Sequence, residues 1–424
     1  MNKYTLTFET NGGTSIEQVT ADYGTLISIE NPIKEGYIFD GWYKDESFTT
    51  KYIITTMPNE NLILYAKWSI IRYKIIYNLD GGRNNSNNPS YYTIETKTII
   101  LNDPSKTGSL FIGWYSEPEF INKVEQIEKG TINSVIIYAQ WLKLPKTITE
   151  NGCTYVYYGE YPQTLKQDSV TIISNTPDSN GYYLGSDNER YAKVNAKPYS
   201  SAYYFNNNQQ IVKGTTYYFK VEPIKWRILQ VNGTEYKLVT ELIIDNQKFH
   251  SSTDTRTIDG KTIYANNYEY SDIRKWLNED FYTKAFTKEL QSIINTTLVD
   301  NSLASTGYSS NKNICNDTYD KVYLLSYKDV TNEEYGFTND VSRQKQVTDY
   351  AKAMGCAMDT ENKYYNNGDY WLRSPSSKDN LKARIVGSDG RIFPYLGSVA
   401  GIDFERTINF DAIGVAPSIT INLS

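Results

Sequence analysis

The sequence predicts a mainly β protein with α+β character: two small β-rich units in tandem, followed by a larger α+β domain. Three observations carry this reading. Aromatic residues make up 14% of the chain and include 39 tyrosines, and tyrosine favours pleated, half-buried surfaces where its ring packs while its hydroxyl stays wet. The first third of the chain repeats itself: YTLTFETNGG at 4–13 returns as YKIIYNLDGG at 73–82, FDGWY at 39–43 as FIGWY at 111–115, and YAKW at 65–68 as YAQW at 138–141. Beyond residue 148 no further copy follows, and strand-like runs there surround an amphipathic helix. A length of 424 residues is too great for one ordinary core and fits several modules.

Within each copy the pieces have physical reasons. Thr5 and Thr7 alternate with Leu6 and Phe8, the pattern of a half-buried strand, and Asn11-Gly12-Gly13 then supplies residues that accept positive φ in a tight turn. Asp80-Gly81-Gly82 does the same in the second copy. The offset between copies grows from 69 (73 − 4) to 72 (111 − 39), which places a small insertion in the asparagine-rich run 84–88, where a loop absorbs it at little cost. Trp42 with Trp68, and Trp114 with Trp141, are the expected core anchors of two domains, 1–70 and 71–143. At that size one large aromatic matters to the core. Residues 142–149, with Pro145, read as a linker.

The third region, 148–424, shows strand patterns at 217–221, 226–231 and 236–241. Ser271-Asp272 can cap a helix whose Ile273, Trp276, Leu277 and Phe281 form one buried stripe. A second helix is expected at 346–354 with Gly355 as its stop. Strands return at 370–375 and 383–386, a turn follows at Ser388-Asp389-Gly390, and a last strand runs over 416–423.

An opening strand ending in NGG or DGG, a central GYIFDGWY at 36–43 and a closing YAKW resemble the internalin B-repeat, also called the Listeria-Bacteroides repeat, over 4–68 and 73–141. The second copy departs from it in reading GSLFIGWY. The resemblance implies a compact β-grasp-like module of extracellular bacterial proteins, a stalk or interaction unit without catalytic role. The series WRIL at 226–229, SDIRKWLN at 271–278, VYLLS at 322–326, YAKAMG at 350–355, YWLRSP at 370–375, ARIVGSDGRI at 383–392 and GVAPSITI at 414–421 resembles an uncharacterised C-terminal domain of surface proteins of low-GC Gram-positive bacteria. That domain ends in GVRPAL, so this chain lacks the arginine. WLRSP, the later SDG turn and GVAP are also similar to the C-type-lectin-like fold of formylglycine-generating enzymes. Together these imply an extracellular or cell-surface location.

Chemistry is sparse. The net charge of −6 and pI near 5.2 disfavour nucleic acid as a partner. No run reaches the ~18 apolar residues of a membrane span, so no membrane insertion is expected. The start MNKYTLTFET has no basic and apolar leader pattern, which suggests a soluble chain that has lost its signal or is a fragment. Cys153, Cys315 and Cys356 lack metal-ligand spacing and allow at most one disulfide, in which Cys315 with Cys356 would be the pair; three buried thiols is the plainer reading. His250, beside Ser251-Ser252-Thr253, reads as an exposed loop residue. Asp187-Asn188-Glu189 and Asn366-Asn367-Gly368-Asp369 are oxygen-rich loops matching no full calcium motif, so Asx turns are the expectation, with no metal and no cofactor. Trp371, Arg373, Asp389, Arg391 and Tyr395 cluster in sequence and mix aromatics with arginine as binding hot spots do, although alternation with Leu372 favours one or both of Trp371 and Arg373 as buried framework. The resulting expectation is a non-catalytic cell-surface adhesion protein: repeats as spacers, and a C-terminal head for a protein or glycan ligand on a host or neighbouring cell. Its rivals are an oxidase of the formylglycine-generating kind, which requires a reactive cysteine pair, and a purely structural stalk.

Overall fold

Alternation in the opening strand sets up the first sheet. Leu6 and Phe8 turn inward from Lys3–Glu9, and this strand pairs parallel with Leu62–Ile70 and antiparallel with Val19–Asp22. Tyr37–Tyr43 lies on the far side of Leu62–Ile70, and Lys51–Tyr52 closes the edge. The second copy builds the same sheet: Tyr73–Asn78 runs parallel to Val135–Lys143, which pairs in turn with Ser109–Tyr115. This computed structural model describes residues 2–361, 363–392 and 405–423. Strands account for 39% of it and helices for 9%, so the protein is mainly β. The chain divides into two compact units, Met1–Lys143 and Leu144–Ser424.

The parallel central pair is the β-grasp-like feature, but among the described residues no helix crosses these sheets. Residues 23–36 cover the first as turns and extended chain. Trp42 and Trp114 are buried in the two cores, whereas Trp68 and Trp141 are partly exposed and pack at the margin. Each marginal indole donates Nε1–H to the turn that ends the opening strand: Trp68 to Thr10 O at 2.9 Å and Trp141 to Leu79 O at 2.8 Å. The second glycine of each NGG or DGG turn makes room for this ring. A Cβ on Gly13 would stand 2.6 Å from Trp68 Cζ2, and one on Gly82 would stand 2.5 Å from Trp141 Cζ2.

In the second unit one long strand, Thr216–Asn232, replaces two of the three expected. It pairs with Cys153–Leu165 on one edge, and with Arg190–Asn195 and then Glu235–Thr240 on the other. Pro223 does not break it, because Pro223 lies at a bulge of the 153–165 partner and between the two ladders on the opposite edge, where no N–H is required. Ser418–Asn422 joins Glu235–Thr240, and Val322–Tyr323 follows. A second sheet runs in the order Asp245–Asn246, Gly414–Val415, Tyr370–Pro375, Lys382–Val386, Glu405–Thr407. The expected linker is shorter than its pattern: Leu142 and Lys143 finish a strand, and Thr147–Glu150 is itself paired.

The helix at 272 forms as its cap predicts, with Ser271 Oγ accepting from Arg274 N at 3.2 Å. It continues through a π-helical turn, Leu277–Phe281, into Tyr282–Ala285. Ile273, Leu277 and Phe281 are buried as one stripe, while Trp276 is turned partly outward. The second helix spans Asp349–Met354, capped by Thr348 and ended by left-handed Gly355. It starts after residue 346 because Gln346 and Val347 form bridges to Asn367 and Ile243. All three cysteines are free thiols, so the Cys315–Cys356 bond that the sequence allowed is not formed, and of the three only Cys356 is fully buried. Cys356 is buried in the main core against Gly414, and burial pushes its thiol up; burial likewise pushes Cys315 up to about 11.

Candidate functional site

Of the five residues singled out by sequence, Trp371 and Arg373 are buried, at 1% and 6% exposure. Trp371 donates Nε1–H to Gln247 O at 2.9 Å and packs on Phe249. Arg373 Nη1 donates to Asp329 Oδ2 at 2.8 Å and to Leu324 O at 2.7 Å, and its Nη2 to Asp300 O at 3.1 Å. Both are therefore the framework that the alternation with Leu372 allowed, and not the ligand-facing surface that the mix of aromatic and arginine suggested, because Tyr370–Pro375 is an interior strand buried on both faces. Asp389 and Arg391 share the Gly390 turn and an ion pair of 3.3 Å, partly exposed. Tyr395 lies outside the described residues.

The acidic residues of the oxygen-rich loops are locally satisfied, while Asn366 Oδ1 is buried with no hydrogen-bond partner among the described residues. Asp187 Oδ1 accepts from Glu189 N at 3.2 Å and its Oδ2 from Tyr191 OH at 2.6 Å. Asp369, raised by burial, accepts from Ser388 N at 2.9 Å and faces Arg406 at 3.3 Å. Among the described residues no group of three or more His, Cys, Asp or Glu side chains converges as a metal site would require.

Two clefts flank the 272–285 helix. The one at its C-terminal end, about 810 Å³, is lined by Tyr157, Tyr158, Tyr182, Tyr282 and Phe286, with the Glu160–Arg190 ion pair at its edge. The larger, about 910 Å³, is open and polar. Six separate segments build it: Lys197 to Tyr199, Lys213, the 246–251 connection, the outer face of the helix with Asp272, Lys275, Trp276 and Asp280, the Met354-Gly355 helix end, and Asp411. Gly355 can end its helix in the left-handed conformation, and this lets Asn246 Nδ2 bridge Met354 O at 3.2 Å and Asp411 O at 2.7 Å, tying three walls together.

Charge in this cleft is unevenly spent. Asp272 is committed: Oδ2 accepts from Ser251 N at 2.7 Å and from Ser251 Oγ at 2.5 Å, and Oδ1 lies 3.1 Å from His250 Nδ1. Among the described residues Lys197, Lys213 and Lys248 form no ion pair, nor do Asp280 and Asp411 of the same lining, and Lys275 reaches only Glu279, at 3.9 Å. Half-buried Trp276 and exposed Tyr199 line the same cleft, Trp276 packed on Phe281 and Tyr199 on Tyr203 and Phe410. His250 is a correction to the sequence reading: it is buried at 4% exposure, not in an open loop. Burial lowers its pKa despite Asp272, which keeps the imidazole neutral near pH 7. Ser251 donates to the carboxylate and not to the imidazole, so the Ser-His-Asp trio lacks the relay by which a base activates a hydroxyl. The larger cleft escaped sequence reading because its residues come from positions 197 to 411; only Trp276, beside the cap, carried a signal.

Residues 4–67 and 73–140 match the Listeria-Bacteroides repeat domain, and residues 234–402 match a domain of unknown function, DUF6273. The chain therefore carries two such repeats ahead of a DUF6273 domain. A putative Gly-rich membrane protein of Evansella cellulosilytica is 36% identical over 144 residues, 33% of this chain and 16% of its own length. A putative membrane protein of the same organism is 35% identical over 202 residues, covering 45% of this chain and 29% of its own. Internalin H of Listeria monocytogenes is 31% identical over 144 residues, covering 33% and 25%. The chain thus spans less than a third of each of these relatives. No helix among the described residues is long and apolar enough to cross a membrane.

Proposed function

We propose that this chain is a non-catalytic part of a bacterial cell-surface protein, in which the two repeats act as spacers and the C-terminal domain binds an acidic glycan in the larger cleft. The observation that carries this is one cleft on a chain of net charge −6 that holds three unpaired lysines, Lys197, Lys213 and Lys248, with Trp276 and Tyr199, and in which they outnumber the unpaired carboxylates Asp280 and Asp411. Sugar rings stack on aromatic faces, and carboxylates or sulfates on the sugars answer the ammonium groups. The location rests on the repeats and on relatives named as membrane or internalin proteins. A non-catalytic role is supported by Ser251 bonding past His250. Against the oxidase rival stand Cys315 and Cys356, whose thiols burial pushes up, the reverse of a reactive pair.

Affinity electrophoresis of the full chain through gels holding polygalacturonate or neutral dextran tests the reading. Retardation is expected only with polygalacturonate, weakening with salt. It is expected to fall at least about tenfold in Trp276→Ala and in the Lys213→Glu/Lys248→Glu variant. Equal mobility in both gels would leave the domain a structural stalk.

A further inference from the structure

Lys352 is 1% exposed on the helix Asp349–Met354, too deep for water to solvate its charge. Its Nζ lies 2.7 Å from Asn206 Oδ1, 3.2 Å from Asp349 Oδ1 and 3.4 Å from Tyr204 O. Asp349, 2% exposed, also accepts from Asn206 N at 2.8 Å, which pins the asparagine over the amine. A 2.7 Å contact to the amide oxygen puts Nζ about 3.5 Å from the amide carbon, within reach of attack once the amide turns its carbonyl face toward the amine. Burial lowers the Lys352 pKa against the opposing pull of Asp349, and so favours the nucleophilic free amine.

We propose that Lys352 and Asn206 form an intramolecular isopeptide bond, with Asp349 moving the protons. Asp349 takes one proton from the ammonium, and Nζ attacks Asn206 Cγ. The Cγ–Nδ2 bond breaks as Asp349 returns the proton to the leaving nitrogen, and ammonia departs carrying the second amine proton. No oxidant or co-reactant is consumed. Asn206 is exposed on its outer side, which gives the ammonia a way out. The product joins two segments 146 residues apart, a covalent staple suited to a surface domain under load.

Intact-mass measurement of the denatured full chain tests this, because the bond lowers the mass by one ammonia. A succinimide at Asn-Gly sequences such as Asn11-Gly12 or Asn367-Gly368 loses the same mass, so the digest must yield a branched peptide joining the segments that contain Asn206 and Lys352. The loss should disappear in Asn206→Ala and in Lys352→Met, and Asp349→Asn should retain the unreacted mass. A wild-type mass equal to that of the sequence, or a deficit mapped elsewhere, overturns the proposal, and neither reading depends on how any variant folds.

Discussion

Arg373 shows how a residue that looks like a binding anchor becomes framework. Its guanidinium bonds the carbonyls of residues 300 and 324 and the Asp329 carboxylate, which Lys237 also meets at 2.7 Å. Burial alone would raise Asp329, but Arg373 and Lys237 outweigh it and hold the carboxyl well below the usual range. Arg373→Ala leaves that charge with Lys237 as its one cation beside the Ser326 donors and removes the guanidinium from two carbonyls, so urea unfolding should show a loss of about 3–5 kcal/mol. Asp245 behaves in the opposite sense. Burial raises it to about 6, although Tyr161 OH at 2.5 Å and Asn246 N at 2.6 Å support the anion. Between about pH 4 and 6 the folded chain keeps a proton that the unfolded chain gives up, so stability falls as pH rises, by on the order of 3 kcal/mol. Asp245→Asn should remove that slope: its stability should exceed wild type at pH 7.5 and match it at pH 4. The sequence placed Trp371 and Arg373 two apart and so on one strand face. It could not show that the strand is covered on both faces, nor that the lone histidine is buried beside a helix cap.

At the scale of elements, the repeat was legible because its anchors are rare residue types at matching offsets. The same matching extends to a loop that composition alone did not reveal. Asp45 and Glu117 accept backbone hydrogens of Thr49 and Thr50, and of Ile121 and Asn122, and Phe48 and Phe120 sit at φ 54° and 55°. An acid and a phenylalanine spaced three apart are too common to stand out without the fold. The glycine turns allow a sharper separation of causes. Gly81 has positive φ and open space, whereas Gly82 is crowded by Trp141. Gly81→Ala should therefore cost only about 1–2 kcal/mol of backbone strain. Gly82→Ala should cost about 1–3 kcal/mol through displacement of the indole, and it alone should change the tryptophan emission of the folded state. Urea titration followed by fluorescence distinguishes the two. The long strand through Pro223 was read as two because a proline is read locally, while the bulge that tolerates it belongs to a partner some sixty residues earlier in the chain.

For the molecule as a whole, the apolar residues form separate cores: one in each repeat, around Trp42 and Trp114, and a larger one in the second unit that includes Phe219, Leu372 and Cys356. Cores that share no side chains unfold as separate cooperative blocks unless an interface couples them. Each repeat is near the size where a single core is marginal, yet Tyr37 OH donates to Glu95 of the next copy, and a Cβ on Gly36 would stand 2.6 Å from Ile94. The two repeats therefore support each other across their own junction. Calorimetry of the full chain should accordingly resolve two transitions, not one and not three. A fragment of residues 1–143, carrying Trp42, Trp68, Trp114 and Trp141, should melt as a single block. A fragment cut after residue 70 should lose stability for want of Glu95 and Ile94. If the 1–70 piece melts where the 1–143 fragment does, the repeats are independent beads and the spacer they form bends at every junction. If it melts well below, the pair is one stiff unit, the mechanical property that the proposed spacer role requires.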